Sequence, residues 1–161
     1  MQRLFALSLV LTLVCLAPGA RAAEGKVIKV FPQYVDKEGR HTLAPSLFAR
    51  DAYQALMRKD PSARGGMRVA VQWKAKTTDW PGLRLKIEMR GVKGNAMHTV
   101  TLEKPAVKNG WLSNWAEVRL TGRDYADFGE MVAWRASLWD GPRELSAQQS
   151  YLWSGVPASI K

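Results

Sequence analysis

Residues 67–76 alternate. Met67, Val69, Val71, Trp73 and Ala75 fall on one side, and Arg68, Ala70, Gln72, Lys74 and Lys76 on the other. Residues 83–90 repeat the pattern more cleanly, with Leu83, Leu85, Ile87 and Met89 interleaved by Arg84, Lys86, Glu88 and Arg90. A period of two with one charged face predicts a strand with one side on a core and the other in water. Strands covered on both faces would read as continuous apolar runs, so the pattern predicts antiparallel sheets.

Further segments fit the same template. Ala116, Val118 and Leu120 alternate with Glu117, Arg119 and Thr121. Val132, Trp134, Ala136 and Leu138 predict an inward set, as do Val100 and Leu102. Residues 26–35 read as a first strand interrupted at Pro32, which implies an edge or a bulge, and residues 144–153 as a last strand of uncertain phase. Turn chemistry separates them at Trp80-Pro81-Gly82, residues 91–95, Asn109-Gly110 and Asp140-Gly141-Pro142. Residues 91–95 and 140–143 are short enough for hairpins, and residues 104–114 are long enough to pass between two sheets.

One segment is helical. Ser46 caps a run from Leu47 to Lys59, on which Phe48, Ala52, Ala55, Leu56 and Lys59 form one stripe beside Tyr53 and Met57. Asp60-Pro61 and Gly65-Gly66 end it. Seven strands and one early helix predict a mainly β fold. The expected form is an antiparallel two-sheet β-sandwich with the short helix in the crossing between the first and second strands. A small barrel is the alternative. In strand count and spacing, residues 26–153 resemble the immunoglobulin and fibronectin type III class. Residues 120–125 (Leu-Thr-Gly-Arg-Asp-Tyr) are similar to its tyrosine corner. Here residues 125–129 read as a turn, and the class's disulfide is absent. The resemblance implies architecture only, since this sandwich hosts many functions.

The first residues change every count. Arg3 is followed by an apolar run over residues 4–16, then Pro18-Gly19 and Ala20-Arg21-Ala22. This is the layout of a cleavable secretory signal peptide, too short for a membrane span. The residues before Cys15 fit a lipoprotein signal poorly. Cleavage after Ala22 would remove 22 of 161 residues and leave 139, enough for one cored domain over 23–153 with a loose tail over 154–161. The only cysteine, Cys15, would leave with the leader, so the expected product is periplasmic or secreted and free of thiol chemistry. Loss of Arg3 and Arg21 leaves 22 basic against 14 acidic residues, a net charge of +8. Such a charge attracts anionic partners.

Little catalytic chemistry is legible. His41 and His98 stand in separate segments: His41 reads as solvated beside a charged turn, His98 as a partly buried strand residue. Neither forms a zinc motif, and Asp36-Lys37-Glu38-Gly39 lacks the ligands of a calcium loop. There is no GxSxG, and Arg64-Gly65-Gly66 lacks phosphate-loop spacing. Asp124 and Asp127 read as a solvated turn rather than a catalytic pair. No metal, cofactor or enzymatic activity is expected.

Aromatic and basic residues remain. All seven tryptophans follow the leader. Trp73 and Trp134 are in phase with the core. Trp80 and Trp111 adjoin turns, and Trp139 is out of phase, so these three are the candidates for an exposed stacking or anchoring surface. Capping the open ends of the sandwich is the competing reading. Arg84, Lys86 and Arg90 line the outward face of one strand. Arg68, Lys74, Arg119 and Arg135 would extend it into a basic stripe if all lay in one sheet. The expected function is a non-catalytic binding or interaction module of the cell envelope, with a protein or glycan surface as partner. The alternatives are a carbohydrate-binding module, with Asn114 or Gln148 hydrogen-bonding beside Trp, and a binder of an anionic polymer.

Overall fold

The alternating segments all become strands in the computed structural model, which describes residues 23–77 and 80–155. The expected leader over residues 1–22 and residues 156–161 of the expected tail lie outside the described residues. The strands are β1 (Glu24–Asp36), β2 (Arg64–Lys76), β3 (Leu83–Lys93), β4 (Ala96–Pro105), β5 (Asn114–Thr121), β6 (Glu130–Asp140) and β7 (Arg143–Gln149). Helix α1 (Leu47–Lys59) precedes β2, and a second helix, α2 (Gly122–Phe128), joins β5 to β6.

The strands form two antiparallel sheets, β1-β2-β5 and β4-β3-β6-β7. This is an immunoglobulin-like β-sandwich. The residues 106–113 carry the chain from the second sheet back to the first, as their length requires. Met67, Val69, Val71 and Trp73 of β2 face Leu83, Leu85, Ile87 and Met89 of β3 across the core, all 1% exposed or less. Leu138, Ala136, Val118 and Leu120 complete it, with Trp134 packed on its margin.

Four details depart from the expected pattern. First, β1 and β2 are hydrogen-bonded neighbours, so α1 is an excursion within one sheet rather than a crossing between two. Second, the irregularity in β1 is not at Pro32, which pairs with Val69 in register. The register slips between Val27 and Lys29, leaving Ile28 as the extra residue. A slip of one residue exchanges the two faces, so Lys29 and Phe31 point outward. A similar slip skips Val132 in β6, and Met131 takes the core position instead.

Third, α1 buries Gln54 and Met57, not the apolar stripe. Phe48 is 85% exposed and Leu47 and Leu56 are also in solvent. The reason is the neighbour. β1 is an edge strand, and Gln54 supplies what an edge lacks: its Nε2 donates to Tyr34 O and its Oε1 accepts from Tyr34 N, both at 2.9 Å. At the other end, Gln148 Nε2 donates to the carbonyls of Val27 and Ile28, and Ser146 Oγ accepts from Val27 N. Side-chain amides thus cover an edge that would otherwise invite another strand. Fourth, the turn expected near Tyr125 is α2. Gly122 and Gly129, at positive φ, start and stop it, and Phe128 is driven into the core against Gly91. Tyr125 lies within α2 rather than on a strand, so the tyrosine corner is not formed as in the resembling class.

Candidate binding surface

Two sheets face solvent, and their outer faces differ in charge pairing. On the four-stranded sheet the basic residues of the expected stripe are occupied. Lys86 pairs with Glu88 at 3.2 Å, Arg135 with Glu88 and Glu144, and Arg84 with Glu103 at 3.7 Å. Arg90 lies over the ring of Trp153 at 3.9 Å and donates to its carbonyl, clamping the last turn (Tyr151–Ser154). The seven basic residues of the expected stripe are divided between the two sheets: Arg68, Lys74 and Arg119 belong to the other one. Arg68 and Arg119 there both pair with Glu117.

The three expected tryptophans have three different fates. Trp80 is half-buried against Trp73, with ring centroids 6.2 Å apart, and caps the end of the core. Trp139 is half-buried, its Nε1 donating to Ser137 Oγ, and it lines a shallow notch of about 200 Å3 with Arg84, Lys86, Glu103 and Gly141. Three of the expected site residues, Arg84, Lys86 and Trp139, meet here. Trp111 is 94% exposed. Asn114 and Gln148, expected to serve a ligand, are used internally instead.

The open half of the three-stranded sheet carries residues that the sequence pattern did not single out. Trp115 of β5 lies opposite Gln72, and Phe31 of β1 lies opposite Ala70, whose small side chain separates them little. The rings of Phe31 and Trp115 stack at 6.0 Å with an interplanar angle of 18°, both partly open to water. In the adjoining rows Lys29 faces Gln72 and Lys26 faces Lys74. Lys26, Lys74 and Lys76 line a groove of about 370 Å3 with Glu24, Gly25, Ala75 and Leu112. Among the described residues, Lys26, Lys29, Lys74 and Lys76 make no ion pair. Trp115 was detectable in sequence, since it shares the phase of Glu117 and Arg119. Phe31 was not, because its orientation depends on the slip at Ile28.

The other half of this sheet is closed by the excursion between β1 and β2. Asp36 anchors it. Its buried carboxylate accepts from Glu38 N, Arg40 N, Arg40 Nε and Tyr53 OH at 2.5–3.0 Å. Burial alone would raise its pKa, but these donors outweigh burial and hold it well below the usual 3.8. His41 is not solvated as its sequence context implies. Its Nδ1 lies 3.1 Å from the Arg68 guanidinium, which can only donate, so the imidazole accepts there and is neutral. Burial first, then Arg68, lowers its pKa from the usual 6.5.

Both shifts have the same consequence. Each group binds a proton more weakly folded than unfolded, so its contribution is present at neutral pH and lost as acid protonates it. The expected result is a melting temperature that falls below the imidazole range and again, more steeply, below about pH 4. Asp36→Asn should lower stability at pH 7 by roughly 2 kcal/mol and flatten the lower limb. Thermal melts of both proteins from pH 7 to pH 2 check this; parallel curves would remove Asp36 from the account.

Among the described residues, no group of three or more His, Cys, Asp or Glu side chains could hold a metal ion. No helix there is long and apolar enough to cross a membrane. The fold and surface together define an immunoglobulin-like sandwich with a cationic, aromatic sheet face. No protein-family model, curated protein or solved structure matches the chain.

Proposed function

We propose that this protein is an exported, non-catalytic binding module of the cell envelope, whose binding surface is the open half of the three-stranded sheet and whose ligand is anionic. One observation carries this reading: four lysines that make no ion pair among the described residues lie on one side of the stacked Phe31 and Trp115, while Arg84, Lys86 and Arg135 of the opposite sheet pair with acids. Four like charges held together on one surface raise the local concentration of anions. The aromatic pair adds a flat apolar contact of the kind that anchors binding energy. Export is supported by the leader-like residues 1–22.

The test is tryptophan fluorescence of the exported protein, with its N-terminus read by mass spectrometry; Ala23 is the expected first residue. Heparin serves as the anionic probe. Binding should quench or shift the emission and weaken about a hundredfold between 50 and 200 mM salt, as for some four displaced counterions. K26Q/K74Q/K76Q should lose most of that affinity and most of its salt dependence. A salt-insensitive interaction, or one unaffected by the triple substitution, would overturn the reading. A second reading rests on the notch of Trp139, Arg84, Lys86 and Glu103, where one indole face meets charged hydrogen-bonding groups. It makes the module a sugar binder on the opposite sheet, and W139A would then abolish binding of oligosaccharides at any salt.

A further inference from the structure

The loop from Asn109 to Ser113 is built to hold its tip in water. Asn109 behaves as a strand partner: its Oδ1 accepts from Trp115 N at 2.9 Å and its Nδ2 donates to Trp115 O. Asn114 Oδ1 accepts from the backbone N–H groups of Asn109 and Gly110. Gln72 Nε2 donates to Ser113 Oγ at 2.8 Å. Gly110 lets the turn close, since a Cβ there would lie 2.0 Å from Ser113 O. What this frame displays is Trp111, 94% exposed, and Leu112, 81% exposed. Leu112 also forms one wall of the groove holding Lys26, Lys74 and Lys76. Among the described residues that line that groove, Glu24 is the one acid.

We propose that this end of the domain docks on an anionic lipid surface, with Trp111 and Leu112 entering the interfacial layer and Lys26, Lys74 and Lys76 facing the anionic headgroups. The inference rests on the reading of this end as an anionic binding surface and names its ligand class. The combination of features selects lipid. A soluble polyanion would satisfy the lysines and leave Trp111 and Leu112 bare. An anionic bilayer takes both at once, since an indole settles at the headgroup level and a neighbouring aliphatic chain reaches the acyl boundary. Two weak signals, apolar insertion and a basic cluster, together give stable peripheral binding where either alone is marginal.

Vesicle sedimentation of the exported protein tests it. One set of vesicles is pure phosphatidylcholine, the other an equal mixture with phosphatidylglycerol. The protein should bind the anionic set at least tenfold more tightly, and its tryptophan emission should be quenched by brominated acyl chains. Removing three lysines in K26Q/K74Q/K76Q should weaken binding about a hundredfold, at about fivefold for each charge near the surface. W111A, which removes a side chain outside the lysine groove, should lower vesicle affinity at least fivefold, abolish much of the bromine quenching and leave heparin binding and the melting temperature unchanged. Vesicle binding that survives W111A intact overturns the lipid assignment. So does heparin binding without vesicle binding, which leaves the anionic reading standing. Failure to bind either probe overturns both.

Discussion

Gly129→Ala is expected to destabilise the domain by at least about 3 kcal/mol, combining a glycine-only backbone with a backbone clash. Gly129 closes α2 at φ 78° and ψ −147°. Its N–H also bonds Tyr125 O, and a Cβ at this position would lie 2.2 Å from the carbonyl oxygen of Val92. Neither side can give way cheaply. Val92 belongs to β3, and the residue before Gly129 is the buried Phe128, seated against Gly91. Gly94→Ala is the control. It also has positive φ, at 60°, but nothing lies within 4 Å of its would-be Cβ. It should cost only about 1 kcal/mol, the backbone penalty alone. Urea unfolding of both variants checks the difference, and equal effects would show that the packing of α2 against β3 contributes nothing.

The second large effect is expected at Arg64. Its side chain is 5% exposed, and it ties three other elements together. The guanidinium donates to the Met57 and Arg58 carbonyls at the end of α1, where the helix has no N–H donors of its own to offer them. It stacks on Tyr34 of β1 at 3.9 Å and pairs with Glu130 of β6. Tyr34 OH also donates to Glu130. Burial, then this contact, pushes its phenol above its ordinary range, so it stays protonated. Glu130 is half exposed, so the ion pair itself contributes little. The loss in Arg64→Met comes from the orphaned helix carbonyls and the lost cation–π contact, roughly 2–4 kcal/mol in all. Hydrogen exchange should show amides of α1 losing protection before those of β3. Uniform loss across both sheets would mean that Arg64 supports the whole sandwich rather than the attachment of α1.

Legibility divided along one line. β3 is the clearest case: its charged residues and its Leu83, Leu85, Ile87 and Met89 lie on the faces that strict alternation assigns. Ser46 and the bounds of α1 were equally plain, because the Ser46 Oγ to Ala49 N bond is a local event. The face of α1 was not. An apolar stripe on a helix says which side could be buried, but the helix meets an edge strand, whose open backbone groups select Gln54 instead. The candidate surface divides in the same way. Trp111 beside its turn and Trp115 in phase with Glu117 are local features. The pairing of Trp115 with Phe31 needs β1, β2 and β5 in one order and one extra residue at Ile28.

The sequence by itself therefore determined the strands, the first helix, the hairpins and the core side of most strands. Each depends on backbone periodicity, capping and turn preferences within about ten residues. Only the tertiary structure decided which basic residues are neutralised and which remain free. It also decided which aromatic rings meet and which edge is covered. Those outcomes depend on contacts between residues such as Lys26 and Lys74 or Arg64 and Glu130, far apart in the chain. A single bulge, invisible to a period-two reading, reverses the face on which such residues appear.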